Sequence, residues 1–327
     1  MLLIANVFSI QIHQPLGRGL QLGTEGLFLT NETERIAKLV SPILTRAMGS
    51  LERNCLLETA HAVYYTLTSK AESDSQLVEE FLGHWLQHIR LYFQSLWLIR
   101  DNAVRCEIAF AEWHHPTKGP THSSKFIIAS AFKSDGSQDT TEFTLDELKT
   151  ARSYFSDFLH PLATVESENL EDAIGKPERP KSPFHKGLSR LTRFNYFLSG
   201  ARSEGEVAVR ISLYMTCMEI LFSTEPTELT HKLSQRVACF LGETTEERIE
   251  IFRTMKRAYG IRSKIVHGGT LPRKLEDDLK QVSTEIDSLI RRIFFKVLST
   301  EELIHRFEQP SEQLEEYFLD LIFQKGV

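Results

Sequence analysis

The chain has 327 residues, of which 41% are hydrophobic and 25% are charged, and this balance is typical of globular proteins rather than disordered or fibrous ones. Its length is sufficient for two domains, each with a core of its own. The formal net charge of −6 excludes a chain that is basic throughout, so any contact with nucleic acid must depend on a local patch.

The cysteines and the N-terminus indicate the compartment. Cys55, Cys106, Cys217 and Cys239 show neither close pairing nor the spacing of metal ligands. Cys217 and Cys239 lie within apolar runs, which is typical of buried thiols in a reducing environment. The apolar start of the chain has no basic n-region and predicts a strand. No uninterrupted apolar run approaches the about 18 residues that span a bilayer. We therefore expect a cytoplasmic protein with no membrane partner.

Residues 1–165 mix helix and strand patterns, which predicts an α+β domain. An uneven apolar stripe indicates a helix near residues 32–48, and a regular stripe indicates a longer one near residues 74–102. Thr144 and Glu147 have the spacing of a capping box and predict the start of another helix. No chemistry can be assigned to this domain from its residues. We expect it to sense or regulate by binding a trigger, either a ligand or a protein, that the sequence does not identify.

Two alternating patterns within the first domain predict a β-hairpin. The strands are expected at residues 105–113 and 125–132. The polar stretch between them is predicted to be a solvated loop, although it could instead line a ligand site, since it contains His114, His115 and His122.

The second half of the chain has a different character. Residues 166–183 are polar and include three prolines, which is typical of a linker. The apolar patterns that follow have helical spacing, so residues 184–327 are predicted to form an all-α helical bundle. The segment Val207–Phe222 is apolar on nearly every side and is therefore expected at the centre of that bundle.

The segment Tyr259–Gly269 is the most informative stretch of the sequence. It lies at the end of a predicted helix whose start is marked by Thr244 and Glu247, again at capping-box spacing. The pair Gly268–Gly269 marks the end of that helix. Gly260 lies in its interior, where glycine costs about 1 kcal/mol relative to alanine, and this predicts a local kink.

The polar side chains of this segment are arranged by helical geometry. Tyr259, Ser263 and His267 follow one another at i, i+4 and i+8 and therefore share one face. Arg262 lies about 140° round the helix from His267, although its long side chain can bend towards that face. His267 is in the last turn, where the helix dipole favours a protonated imidazole.

Arg262 and His267 form an Arg-x4-His arrangement within the longer pattern Tyr-x-x-Arg-Ser-Lys-Ile-Val-His-Gly. Together with the upstream segments Cys217–Phe222 and Ser234–Gly242, this pattern resembles the signature of the HEPN superfamily, and in particular its Apea-like branch. The resemblance covers about the last third to two-fifths of the chain. It implies a small helical bundle that forms a homodimer through this C-terminal domain and, in many members, cleaves RNA without a metal ion or other cofactor.

The resemblance also implies a reaction and a role for each residue of the motif. The expected activity is that of an endoribonuclease, in which the RNA 2′-hydroxyl attacks the adjacent phosphate and expels the 5′-oxygen. His267 is suited to transfer protons near neutral pH, and Arg262 is suited to stabilise charge on the phosphorane. Ser263 would bind a phosphate oxygen or hold the His267 ring, and Tyr259 and Lys264 would contact the RNA substrate. A role in host defence or as a toxin is what the resemblance suggests.

Glu219 lies within the apolar helix of the bundle and needs a partner, because burying an unpaired carboxylate is costly. Arg236 and Arg262 are the candidates. The resulting ion pair would either fix the bundle or orient Arg262 over the reacting phosphate. The alternative to an enzyme is a non-catalytic module that uses the same helices for dimerisation or for binding RNA or nucleotide.

Overall fold

The computed structural model describes residues 1–23, 26–66, 75–126, 130–159, 188–225, 229–270 and 273–323. The chain forms two compact units, of which the first comprises residues 1–131 and 138–180, and the second comprises residues 132–137 and 181–327. The predicted linker at residues 166–183 lies outside the described residues. Among the described helices, none combines the length and apolar character that crossing a bilayer requires.

The first unit is built on a six-stranded antiparallel sheet with the strand order β3-β4-β5-β1-β6-β7. A separate parallel pair is formed by two short strands, β2 and β8. The strands are β1 Leu2–Asn6, β2 Ile10–Gln11, β3 Leu20–Gln21, β4 Leu27–Thr30, β5 Ala62–Thr66, β6 Ile108–His115, β7 Gly119–Phe126 and β8 Thr141–Glu142.

Helices cover both faces of this sheet. Leu3 and Ala5 of the central strand β1 contribute to one core, and Ile4 between them contributes to the other, as the alternation of a strand requires. One core is completed by α3 and α4, and the other by α1 and α2. The described helices of this unit are α1 Thr33–Leu39, α2 Pro42–Glu58, α3 Ser75–Ile99 and α4 Leu145–Tyr154, which continues as a π-helical turn at Phe155–Leu159.

The helices of the first unit refine the sequence predictions. The helix predicted at residues 32–48 is two helices, because Ser41 caps a new helix by accepting a hydrogen bond from the Leu44 N–H at 3.0 Å. A kink within α2 follows from Gly49, whose φ of 83° is not helical. The capping box predicted at Thr144 and Glu147 is confirmed at the start of α4.

The predicted hairpin is present, but its second strand was placed wrongly. The strand predicted at residues 125–132 is wrong, because β7 runs from Gly119 to Phe126 and pairs with β6 along its whole length. The predicted loop is therefore reduced to a turn at residues 116–118, and its three histidines lie in the two strands. The sequence misled because Pro120 lies inside β7, which an edge strand tolerates since its outer N–H groups need no partner.

The described part of the second unit, apart from residues 132–137, is helical, and this confirms the predicted helical class of the C-terminal half. The central helix is α6, whose side chains Ile211, Met215 and Met218 are completely buried. It packs against the helices before and after it. The helices are α5 Arg190–Ser203, α6 Val207–Phe222, α7 Leu229–Leu241, α8 Thr245–Val266, α9 Arg273–Leu298, α10 Glu301–Phe307 and α11 Ser311–Phe323.

A short segment from the first half of the sequence, residues 132–137, belongs to the helical unit. Arg210 of α6 is completely buried, and its guanidinium donates to the carbonyl oxygens of Lys133 and Glu204. The Phe132 ring lies 5.7 Å from the same guanidinium. The sequence assigned this segment to residues 1–165, whereas the structure uses it to satisfy a buried arginine of the bundle.

Candidate functional site

The motif segment lies on α8, whose first turn has a single side-chain cap. The Thr244 hydroxyl accepts a hydrogen bond from the Glu247 N–H at 3.2 Å. The Glu247 carboxylate accepts from the Glu243 N–H at 3.1 Å and from Arg292 at 2.6 Å. The predicted capping box is therefore incomplete, because its second half is directed to Glu243 instead of Thr244. The start of the helix is nevertheless where the sequence predicted it.

The C-terminal end of α8 is closed by the predicted glycine pair. Gly268 adopts a φ of +67°, and its N–H donates to the Ile265 carbonyl at 3.1 Å. The Gly269 N–H donates to the Lys264 carbonyl at 2.8 Å, which completes a Schellman motif. The helix is continuous through Gly260, so the kink predicted there is wrong. The backbone of the last turn is consequently held in place by these hydrogen bonds.

His267 occupies the C-cap position of α8. Its N–H donates to the Ser263 carbonyl at 3.2 Å, and its side chain is exposed. Ser263 and Lys264 are partly exposed on the preceding turn. Within the described residues, none of these three side chains makes a hydrogen bond or an ion pair. The imidazole, the hydroxyl and the ammonium are therefore all available to a ligand.

Arg262 lies on the other side of the helix end and points towards α6. Its Nη2 donates to Glu219 Oε2 at 3.0 Å, and the two side chains are only 23% and 17% exposed. The Tyr259 ring centroid is 5.4 Å from the guanidinium carbon, which is a cation–π contact. Burial raises the pKa of the Tyr259 phenol, and the nearby Glu219 carboxylate raises it further, so the phenol stays neutral at neutral pH.

The ion pair between Arg262 and Glu219 leaves hydrogen-bonding groups unused. Glu219 Oε1 and Arg262 Nε are both buried, and neither has a partner in hydrogen-bonding geometry among the described residues. Buried polar atoms are satisfied in the large majority of cases, because leaving one without a partner costs about 1–3 kcal/mol. This pair therefore keeps capacity to bind a further polar group.

Arg236, the other predicted partner of Glu219, lies elsewhere. Its guanidinium donates to both carboxylate oxygens of Glu315 in α11, at 2.7 and 2.5 Å. It also donates to the Phe222 carbonyl at 2.7 Å and to the Thr224 hydroxyl at 3.1 Å. Of the two arginines that the sequence offered for Glu219, only Arg262 makes the ion pair, and Arg236 joins α7 to α11.

The structure thus brings Tyr259, Arg262 and Glu219 together on the core-facing side of α8. His267 projects from the exposed end, about 140° round the helix from Arg262. Sequence reasoning missed a further feature of this helix, a row of cations on its solvent face that consists of Arg253, Lys256, Arg257 and Lys264. The signal was their spacing of three, four and seven residues, which places them on one side of a helix.

No cluster of three or more His, Cys, Asp or Glu side chains that could hold a metal ion occurs in the part of the chain that the structure describes. Comparisons with models of known families, with curated proteins and with solved structures gave no match. The resemblance noted in the sequence therefore rests on the motif of α8 and the segments upstream of it.

Proposed function

We propose that this protein is a metal-independent endoribonuclease of HEPN type that acts on RNA in the cytoplasm. The observation that supports the proposal best is the end of α8. There, an exposed imidazole at His267 follows a guanidinium at Arg262 that Glu219 holds at 3.0 Å. A proton-transfer group and a positioned cation are the two elements that phosphodiester cleavage by a neighbouring hydroxyl requires.

The proposed reaction assigns one task to each group. The RNA 2′-oxygen forms a bond to phosphorus while the bond from phosphorus to the 5′-oxygen breaks. The His267 imidazole of one copy of the chain takes the proton of the 2′-hydroxyl, and the His267 imidazole of a second copy supplies a proton to the leaving 5′-oxygen. Arg262 stabilises the charge on the phosphorane. Ser263 and Lys264, whose side chains make no hydrogen bond or ion pair with the described residues, bind phosphate oxygens. The products are a 2′,3′-cyclic phosphate and a 5′-hydroxyl.

A homodimer completes this site in the proposal. His267 and Arg262 point to different sides of one helix, so a single copy does not present both to the same phosphate from one face. Two copies that pair through their helical units about a two-fold axis would place both groups in one cleft. The first unit would then respond to the trigger that activates cleavage, in a host-defence or toxin-like role.

The decisive experiment compares His267→Ala with the parent protein on a labelled single-stranded RNA. We expect cleavage to be lost and the free energy of unfolding to change by less than about 1 kcal/mol, because the residue lies at an exposed helix end. Cleavage by the parent should persist in excess chelator and should vanish on a fully 2′-deoxy substrate. The matched control is His305→Ala, which removes another exposed histidine of the same unit.

Several outcomes would contradict the proposal. Equal cleavage by the His267→Ala variant would remove the catalytic assignment, and inhibition by chelator that Mg²⁺ reverses would remove the metal-independent mechanism. Efficient cleavage of DNA would do the same. Light scattering on the full chain tests the dimer, since a strictly monomeric species that still cleaves RNA contradicts a shared cleft.

A second function, a non-catalytic module for dimerisation or for binding RNA or nucleotide, is favoured by one observation. The Arg262 guanidinium already contacts a carboxylate and faces away from His267. Binding of RNA by the parent protein without any cleavage would support this function. Expression in cells distinguishes the two in another way, because only a nuclease should slow growth in a manner that His267→Ala abolishes.

A further inference from the structure

The solvent-facing side of α8 carries a row of cations, which we call the basic row: Arg253, Lys256, Arg257 and Lys264. At 100° per residue, these four side chains fall within an arc of about 100°. The first three are exposed and Lys264 is partly exposed. His267 falls within the same arc at the end of the helix, whereas Arg262 lies on the opposite side.

The row differs in charge from the protein that carries it. The chain has a net charge of −6, yet residues 253–267 contain no Asp or Glu. From the neighbouring helix α9, Glu285 makes an ion pair with Arg257. Arg253, Lys256 and Lys264 have no ion pair among the described residues, although the Lys256 ammonium lies 5.7 Å from the Phe252 ring centroid. Three cations of the row therefore have no ion-pair partner in the part of the unit that the structure describes.

The geometry of the row suits an extended polyanion. Arg253 and Lys264 are eleven residues apart, which is about 16 Å along the helix. Gly260 lies between them on the same side, and a Cβ atom there would meet nothing within 4 Å. The middle of the row is therefore open, so a chain of anions can lie against the helix and reach its end.

We propose that the basic row binds the phosphodiester backbone of single-stranded RNA and directs it across His267. The proposal rests on the function proposed above and adds the path of the substrate. Lys and Arg side chains bind phosphate oxygens through charged hydrogen bonds, without reading the bases. A single strand fits because in-line attack requires the 2′-oxygen, the phosphorus and the 5′-oxygen to align, and a regular duplex holds them out of line.

The test measures binding separately from cleavage. The full chain is titrated with a fluorescent 2′-O-methyl RNA, which cannot be cleaved by 2′-hydroxyl attack, at several salt concentrations. Each phosphate contact contributes about −0.7 to the slope of log K against log salt for a single strand. We expect Arg253→Gln, Lys256→Gln and Lys264→Gln each to make the slope less steep by about 0.7, and the triple variant by about 2.

Two controls accompany these variants. Arg257→Gln should change the slope less than the other three, because Glu285 already neutralises that guanidinium. Lys280→Gln removes an exposed lysine of α9 and should leave the slope unchanged. It lies five residues from Glu285, which is about 140° round the helix from the side that meets Arg257. Thermal melts of each variant confirm that the fold is retained.

The possible outcomes separate the two proposals. Unchanged slopes in all three row variants, or an equal change in Lys280→Gln, would overturn the basic row even if the parent cleaves RNA. Reduced slopes in a protein that cleaves no natural RNA would support the row and remove the nuclease. Competition by a polyglutamate peptide at the same charge concentration as RNA would overturn RNA as the partner and indicate an acidic protein instead.

Discussion

Arg236 and Arg262 of the helical unit each bind a glutamate, and the surroundings of the two ion pairs differ. Arg236 is 4% exposed, and it contacts both oxygens of Glu315, at 2.7 and 2.5 Å. Its guanidinium carbon also lies 4.7 Å from the Phe318 ring centroid. Arg262 is 23% exposed and contacts a single oxygen of Glu219, at 3.0 Å. The first arginine is hydrogen-bonded to several atoms, whereas the second makes one hydrogen bond and a cation–π contact with Tyr259.

The exposure and contacts of the two arginines distinguish a structural arginine from one that can bind a ligand. Both are charged, both pair with a carboxylate, and both have an Nε atom without a partner. In the Arg236 cluster both carboxylate oxygens of Glu315 already accept hydrogen bonds from the guanidinium. In the Arg262 pair, the second carboxylate oxygen of Glu219 makes no hydrogen bond with the described residues. The stability of one pair and the chemistry of the other can be tested independently.

The largest effect on stability is expected from Arg236→Ala. Removing one partner of a buried ion pair costs about 3–5 kcal/mol, and here a carbonyl and a hydroxyl also lose their donor. We expect the free energy of unfolding, measured by urea denaturation, to fall by about 4 kcal/mol. Arg236→Lys keeps the charge but loses the planar guanidinium that contacts both carboxylate oxygens. Its free energy of unfolding should therefore lie between those of Arg236→Ala and the parent. A fall of less than about 1 kcal/mol would show that the cluster is not a structural clamp.

Arg262→Ala should reduce RNA cleavage much more than it reduces stability. It removes one charged hydrogen bond, which contributes about 1.5–3 kcal/mol to stability, so the variant should stay folded. RNA cleavage should fall by about 100- to 1,000-fold, which is the range for losing a group that stabilises a developing charge. Single-turnover cleavage by the folded variant is the measurement.

Glu219→Gln is the control for this prediction. The amide keeps the shape of the side chain and one oxygen for Arg262, so stability should change little. Cleavage should fall less than in Arg262→Ala if Glu219 only orients the guanidinium. A variant without Arg262 that cleaves RNA normally would show that the pair is structural, as Arg236 and Glu315 are.

Several features of the helical unit could be predicted from the sequence. An acidic residue in an apolar helix requires a partner, and this identified Arg262 and Arg236 as two candidates for Glu219, of which only Arg262 makes the ion pair. The burial of α6 and the end of α8 at Gly268 follow equally from local rules. These features depend on periodicity and on backbone conformation, which neighbouring residues determine.

Features that depend on distant parts of the chain could not be predicted. Glu315 is 79 residues from Arg236, and no local pattern marks it as the partner. Lys133 is 77 residues from Arg210, and its carbonyl oxygen accepts a hydrogen bond from the Arg210 guanidinium. The same limit applies to the candidate site, because a periodic pattern shows which face of α8 is polar but not what lies opposite it. Tertiary packing decides these pairings.

The smallest effect is expected from Gly260→Ala, which lies one residue after Tyr259 but on the solvent face of α8. Its φ is not in the left-handed region, and an added Cβ atom would meet nothing within 4 Å. Alanine should therefore raise the free energy of unfolding by about 0.4–1 kcal/mol, because glycine loses more backbone entropy in a helix. The Arg262 contact should not change, since the new methyl group points away from it. Cleavage should not change either, since the methyl group lies about 10 Å along the helix from His267.

Gly268→Ala is the matched control, because an added Cβ atom there also meets nothing within 4 Å. Gly268 differs only in its backbone, with a φ of +67° that an L-residue adopts at a cost of about 1 kcal/mol. This variant should lose stability and should disturb the Schellman end that carries His267, so cleavage should fall as well. If instead Gly260→Ala reduced cleavage while stabilising the protein, flexibility within α8 would be part of the mechanism. Equal and opposite changes in stability, with cleavage altered only in Gly268→Ala, would show that the end of the helix, and not its middle, positions the reacting imidazole.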